Sequence, residues 1–223
     1  MTASRSPSLV VDAVLLDMDG TLVDSTSLVY EMWGRFAMEH GHDPEEVVAF
    51  AHGTPSIATL RRYLPESANI DEWYNRVAEW ERGDFGGVAE LPGAAAFVSS
   101  LPEGKWAVVT SAIADAARAR LEGAGFPHID VLVGADDVER GKPYPEPFLQ
   151  AAERLGVDIA RCVVFEDSPP GIEAGVAAGA HVVVVGDAET AHTPGLRRLR
   201  HWRDVAVSVT ASGEIEIEGI PQA

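Results

Sequence analysis

The stretch Arg161–Val185 reads RCVVFEDSPPGIEAGVAAGAHVVVV. Two runs that are apolar on successive residues, Cys162–Phe165 and His181–Val185, flank an Ala- and Gly-rich segment, Pro170–Ala178, of helical length. Successive rather than alternating apolar residues mark strands buried on both faces, and strand–helix–strand at this spacing is a parallel unit whose crossover covers the sheet. Working toward the N-terminus, the same reading finds strands at Val131–Val133, Trp106–Val109 and Val11–Leu16. Helix-period stretches at Ala112–Ala124 and Glu146–Leu155 alternate with them. The expected fold class is α/β: a doubly wound, Rossmann-like parallel sheet.

One segment interrupts the alternation. Between about Ser25 and Val88 no comparable strand occurs. Leu28, Val29, Met32, Trp33 and Phe36 recur at helical spacing, Asp43-Pro44-Glu45-Glu46 and Thr54-Pro55 carry capping signals with proline in the first turn, and Gly53 is placed to end a helix. A further helix is predicted over Asp71–Glu81. With Gly20-Thr21 on one side and Gly83-Asp84-Phe85-Gly86-Gly87 on the other, the expected organisation is an α/β core of residues 1–24 and 89–223 carrying an all-helical insertion, 25–88, on two flexible connections. After Gly186 the pattern is weaker. A short basic helix is predicted near Leu196–Trp202, overlapping the basic stretch Arg197–Arg203, and a hairpin around Ser212-Gly213.

Seventeen basic residues against 35 acidic ones give a net charge of −18, which repels nucleic-acid backbones and anionic membrane surfaces. The same field opposes any anionic small molecule unless the site carries a local cation. Cys162 is the only cysteine, so neither an intramolecular disulfide nor a thiolate metal cluster is available, and it reads as an inert core thiol. No apolar run approaches membrane-spanning length and the N-terminal stretch is too weak for a signal peptide, so the expected location is cytoplasmic.

In an open parallel sheet, ligands gather outside the carboxyl ends of the strands. There the chain places Asp17-Met18-Asp19-Gly20-Thr21, Thr110-Ser111, Gly141-Lys142-Pro143 and Glu166-Asp167-Ser168. Singly, each has a plain structural role as a turn, a helix cap or an exposed charge. Together they bring carboxylates, hydroxyls and one lysine to one edge. Asp17 and Asp19, two apart where a strand turns into a loop, repel each other unless a divalent cation lies between them. Oxygen ligands point to Mg²⁺, with Asp167 as a further ligand and Glu166 beside it holding the metal's waters. Such a set suits phosphoryl transfer, which asks mainly for positioning and charge neutralisation. His40, His42 and His52 share no spacing that favours a joint site, and Trp33, Trp73 and Trp80 read as the core of the insertion.

Four segments in order, DMDGTL at Asp17–Leu22, Thr110-Ser111, GKPYPEPF at Gly141–Phe148 and FEDSPPGIEAG at Phe165–Gly175, resemble the motifs of haloacid dehalogenase-like phosphatases. LPGAAAFVSSLP, KWAVVTS and CVVFEDS are similar to the sugar-phosphate and glycerol-phosphate phosphatase branch, whose helical cap is inserted after the first motif. The resemblance implies a Mg²⁺-dependent phosphatase acting on a small phosphorylated metabolite. Asp17 would be the nucleophile and become an aspartyl-phosphate, and Asp19 the acid and then the base. Thr110, Ser111 and Lys142 would bind the phosphate, and Asp17, the Asp19 carbonyl and Asp167 the metal.

Relatives carry an Arg shortly after the His-Gly of the insertion; here His52-Gly53 is followed by Thr54-Pro55-Ser56, so Arg61 or Arg62 is expected to face the cleft instead. A β-phosphoglucomutase-like isomerase would share the four motifs, but its cap arginine and cap histidine align with Ser56 and Val29. A dehalogenase normally lacks the aspartate supplied by Asp19. A phospho-receiver module, which also combines aspartates, a Thr and a Lys, lacks the insertion.

Overall fold

The computed structural model describes residues 8–83 and 87–221. The connection predicted over Gly83–Gly87 thus falls largely outside the described residues. The central sheet has six strands: β2 (Ala13–Leu16), β5 (Trp106–Val109), β6 (Leu132–Val133), β7 (Cys162–Glu166), β8 (His181–Val185) and β9 (Arg197–Leu199), all parallel and ordered β6-β5-β2-β7-β8-β9. Connections leaving β2 on either side run in opposite directions, so the topological switch point lies where β2 meets β5 and β7.

Alternate side chains build the two faces. Val14, Leu16, Val108, Val163, Phe165 and Val183 point one way, onto α5 (Ala94–Ser100) and α6 (Ala114–Gly123). Leu15, Val109, Val164, Val182 and Val184 point the other way, onto α7 (Glu146–Leu155) and α8 (Pro169–Ala178), through Phe148, Ala151, Ile172 and Ala174. Both faces are covered, which is why the strands read as unbroken apolar runs. Cys162 lies in this core, where burial pushes its thiol up to about 12.

The helical segment comprises α1 (Thr26–His40), α2 (Pro44–Ala51), α3 (Ser56–Tyr63) and α4 (Ile70–Arg82). Asp43 caps α2 by accepting from Glu45 N, with Pro44 in the first turn, and Asn69 caps α4. Met32, Trp33, Phe36, Val47, Leu60 and Val77 form its own core. Trp33 and Trp73 meet Phe36 edge-on, and Trp73 meets Trp80 in the same way. At the root of the segment the two connections pair as a short antiparallel ribbon, β3 (Val23–Asp24) with β4 (Ala89–Glu90). The outgoing and returning chains are therefore tied together rather than both loose.

The segment after Gly186 departs from expectation. Arg197–Leu199 is the edge strand β9, not a helix: Leu199 fills the core while Arg198 binds Glu189 and the carbonyls of Gly186 and Ala188. A single 3₁₀ turn follows at Trp202–Asp204. The hairpin at Ser212-Gly213 forms between β10 (Ala206–Val209) and β11 (Ile215–Glu218), and β11 also pairs with β1 (Leu9–Val11) in a separate three-stranded sheet. Trp202 packs on Phe97 and Phe165 and donates its indole N–H to the Thr21 carbonyl at 2.8 Å. The C-terminal segment thereby buttresses the loop that follows β2. No described helix is long and apolar enough to cross a membrane.

Candidate active site

The carboxyl ends of β2, β5 and β7 place Asp17, Thr110 and Glu166 side by side at the switch point. Lys142, arriving from the loop before α7, lies between them. Its Nζ donates to Asp17 Oδ1 at 2.5 Å, to Glu166 Oε2 at 2.7 Å and to the Val109 carbonyl at 3.1 Å. All three charged side chains are buried. Burial alone would push the lysine down, but the two carboxylates outweigh it and hold the ammonium protonated. Asp17 moves oppositely to an ordinary ion-paired acid. Burial and the nearby Glu166 and Asp167 raise it well above the usual range despite Lys142. The floor of the site thus carries more negative charge than its one lysine neutralises.

Asp17, Glu166 and Asp167 each offer an oxygen, and the three lie within 4.8 Å of one another. Glu166 is already engaged: Oε1 accepts from the amides of Asp167 and Ser168 and from the Ser168 hydroxyl, and Oε2 from Lys142. A hard divalent cation held mainly by Asp17 and Asp167 fits this donor set and its surplus charge. Asp167 accepts from Thr21 Oγ1 at 3.0 Å and lies 2.9 Å from His52 Nε2. That contact pushes the histidine up to about 9, against the effect of its burial. Gly20 makes the packing possible. Its φ is +89°, and a Cβ there would stand 2.0 Å from Asp167 Oδ2.

The Asp19 carboxylate is not part of this cluster. The loop turns it toward Arg120, whose Nη1 is 3.7 Å from Asp19 Oδ1. Thr110 Oγ1 accepts from Ala112 N, which leaves its hydroxyl proton free to donate toward the cleft. Ser111 donates to the Gly53 carbonyl, tying the end of β5 to the helical segment. A cleft of about 50 Å³ lies above, lined by Asp17, Asp19, Thr110, Ser111 and Arg120 from below and by Val29, Met32, Trp33, His52, Ser56 and Glu81 from above.

Arg61 and Arg62 do not reach it. Both are exposed, and Arg62 lies over the Phe50 ring, 4.4 Å from its centroid. They occupy the last turn of α3, whose buried face is formed by Ser56, Thr59, Leu60 and Tyr63. The arginine in the cleft is Arg120, from the core helix α6, whose Nη2 donates to the Glu81 carbonyl of α4. Neither was singled out from the sequence. The available signal was a charge inside an apolar stripe: Arg120 follows Ala116 and Ala117 and precedes Leu121, and Glu81 follows Val77 and Ala78, all on buried faces. His52 is visible in the sequence through the His52-Gly53 pair, but nothing there gives its contact with Asp167.

A model of the haloacid dehalogenase-like hydrolase family matches residues 11–179. Hexitol phosphatase A of Escherichia coli is 40% identical over 212 residues, covering 92% of this chain and 97% of that protein. Glycerol-1-phosphate phosphohydrolase 2 of Saccharomyces cerevisiae is 35% identical, covering 79% and 75%. The crystal structure of CbbY from Rhodobacter sphaeroides in complex with phosphate superposes with a TM-score of 0.71 at 25% identity, covering 85% of this chain and 93% of that one.

Proposed function

The chain belongs to the haloacid dehalogenase-like hydrolase family and is a phosphoric monoester hydrolase, and from that premise we propose a Mg²⁺-dependent phosphatase of sugar or polyol phosphates that works through an aspartyl-phosphate on Asp17. The observation that carries this reading is the buried Asp17–Lys142–Glu166 arrangement beside Asp167. A buried carboxyl group is held at the strand end beside two further acids with one lysine, an arrangement that a divalent cation would complete when an anionic phosphoryl group binds.

Asp17 attacks phosphorus in line. Its carboxylate oxygen forms the new O–P bond as the bond to the leaving oxygen breaks, and Asp19 delivers a proton to that oxygen. Water then attacks the aspartyl-phosphate, Asp19 takes its proton, and phosphate leaves with Asp17 restored. Lys142 and the Thr110 hydroxyl hold the phosphoryl oxygens, with Ser111 alongside. Asp17, the Asp19 carbonyl and Asp167 would hold Mg²⁺, which supplies charge neutralisation at the phosphoryl group. Glu166 fixes Lys142 and the backbone at Asp167. Residues 25–88 serve as a cap that excludes water and meets the alcohol part of the substrate. A mutase acting on bisphosphates would want positive charge where Ser56 and Val29 line the cleft, and neither supplies it.

Phosphate release from a panel of hexitol, sugar and glycerol phosphates, with and without Mg²⁺, tests the proposal. Metal-dependent release from at least one ester, reduced roughly a thousandfold or more in Asp17→Asn, is the expected result. Release that survives Asp17→Asn would defeat the nucleophile assignment. Absence of release from every ester would defeat the substrate class.

A further inference from the structure

Beyond the phosphate-facing groups, the cleft holds two polar atoms with complementary needs. Asp19 Oδ1, an acceptor, and Arg120 Nε, a donor, are both buried and have no hydrogen-bond partner among the described residues. The Arg120 side chain is only 9% exposed, and its other nitrogens are directed elsewhere: Nη1 stands 3.7 Å from Asp19 Oδ1, and Nη2 donates to the Glu81 carbonyl at 3.3 Å. Buried polar groups in folded proteins are nearly always satisfied, so an orphan donor beside an orphan acceptor in one cleft marks a place for a ligand group that can do both. A hydroxyl can; a carboxylate or phosphate can only accept.

Charge decides against an anion here. Glu81 enters the same cleft from α4 and is buried, with Oε1 accepting from Ser56 Oγ at 2.7 Å and Oε2 from Ile113 N at 3.2 Å. A second anionic group on the substrate would meet Glu81, with Arg120 already facing Asp19 and the His52 imidazole already held by Asp167. The same cleft is lined by Val29, Met32 and Trp33, an apolar surface suited to a carbon chain.

We propose that Arg120 and Glu81 form the leaving-group subsite: Arg120 Nε donates to a hydroxyl near the ester carbon of a neutral polyhydroxy alcohol, and Glu81 keeps anionic leaving groups out. The assignment rests on the phosphatase reading above and adds the residues and the charge rule that select the alcohol. Phosphomonoesters of hydroxy acids and bisphosphates are the excluded classes.

The test compares kcat/KM for three probes, sorbitol 6-phosphate, ethyl phosphate and 2-phosphoglycolate, in the wild type, Arg120→Lys and Glu81→Gln. The wild type prefers the polyol ester over ethyl phosphate, which lacks the hydroxyl, and over phosphoglycolate, which carries a second anion. Arg120→Lys narrows the polyol-to-ethyl preference roughly tenfold, mainly through KM, as one charge-assisted hydrogen bond predicts. Glu81→Gln raises phosphoglycolate relative to the polyol by about the same factor.

All three probes falling in proportion in both variants would assign these residues a merely structural role and overturn the subsite. A wild type that favours phosphoglycolate would overturn the charge rule, and this comparison needs no variant to fold. Release from other esters in the panel with no preference among these three sinks the subsite alone. No release from any ester sinks the phosphatase reading as well.

Discussion

The floor and the roof of the cleft are built on different terms. Below, Asp17 and Glu166 at strand ends and Lys142 from the loop before α7 are buried, each fixed by hydrogen bonds to the others or to backbone. Above, His52 is half-exposed, Arg61 and Arg62 face solvent, and Glu81 is the single buried charge that the helices bring to the cleft. A buried charge dictates its neighbours, because an uncompensated partner is costly; an exposed one does not. The floor is therefore intolerant of change and the roof permissive, which suits a machine whose reaction stays fixed while its substrate varies.

The sharpest way to break this contrast is to empty the middle of the floor. Lys142→Met leaves Asp17 and Glu166 buried without their cation and is expected to destabilise the protein by about 3–5 kcal/mol, read by urea denaturation. A loss below about 1 kcal/mol, the range of an exposed pair, would erase the distinction.

The surplus negative charge predicts a response to metal next. Mg²⁺ at a hundred times its Kd should stabilise the wild type by about 2.7 kcal/mol, visible as a rise in Tm, and much less in Asp167→Asn. In the metal-free protein, Asp17→Asn should raise stability, read as a higher Tm. The sign follows from the raised acid: a carboxyl whose folded value lies above its unfolded one contributes stability below the ordinary carboxylate range and loses it as pH rises through the raised value. Asparagine lacks that ionisation, so its Tm should exceed the wild type's most at neutral pH and least in acid. Equal Tm values across pH would show that Lys142 already balances the floor.

Between floor and roof, Trp202→Phe removes one buried hydrogen bond to Thr21 while keeping an aromatic ring against Phe97 and Phe165; a loss of about 1–2 kcal/mol is expected in thermal unfolding. The smallest effects belong to the roof's outer surface. Arg61→Ala and Arg62→Ala should each cost less than about 1 kcal/mol, Arg62 slightly more through its contact with Phe50, and change kcat/KM less than about threefold. A larger fall in kcat/KM would bring α3 back into substrate binding.

The same physics governs what could be read without coordinates. Strands covered on both faces must be apolar throughout, and Cys162–Phe165 and His181–Val185 declare themselves for that reason. Strand-end chemistry needs particular residue types at fixed offsets, so Asp17, Thr110, Lys142 and Asp167 stand out. Arg120 and Glu81 escaped because a single charge in a helix stripe has no companion at a fixed spacing; its partner comes from a distant segment and is found only when the helices dock. Arg197–Leu199 is a strand where a helix is expected because its arginines mask the pattern: at the sheet edge only Leu199 is fully buried. Arg61 and Arg62 lie near the expected position in sequence but on the exposed face of α3, whereas the arginine that lines the cleft comes from α6.

The pairing of β1 with β11 sets Leu9 opposite Ile217 and lets Ser8 donate to Glu216 across 208 residues of sequence. At equilibrium so long a closure is cheap, since each doubling of loop length adds only about 0.6 kcal/mol. In time it is not, because contacts between distant segments must wait for the chain between them to be organised. On the ribosome the wait is stricter still: β11 is synthesised after every strand of the six-stranded sheet. The α/β core can assemble and test its packing before this small sheet closes, so β1 and β11 form a late clasp, and a stalled or truncated chain would show itself by an unpaired first strand.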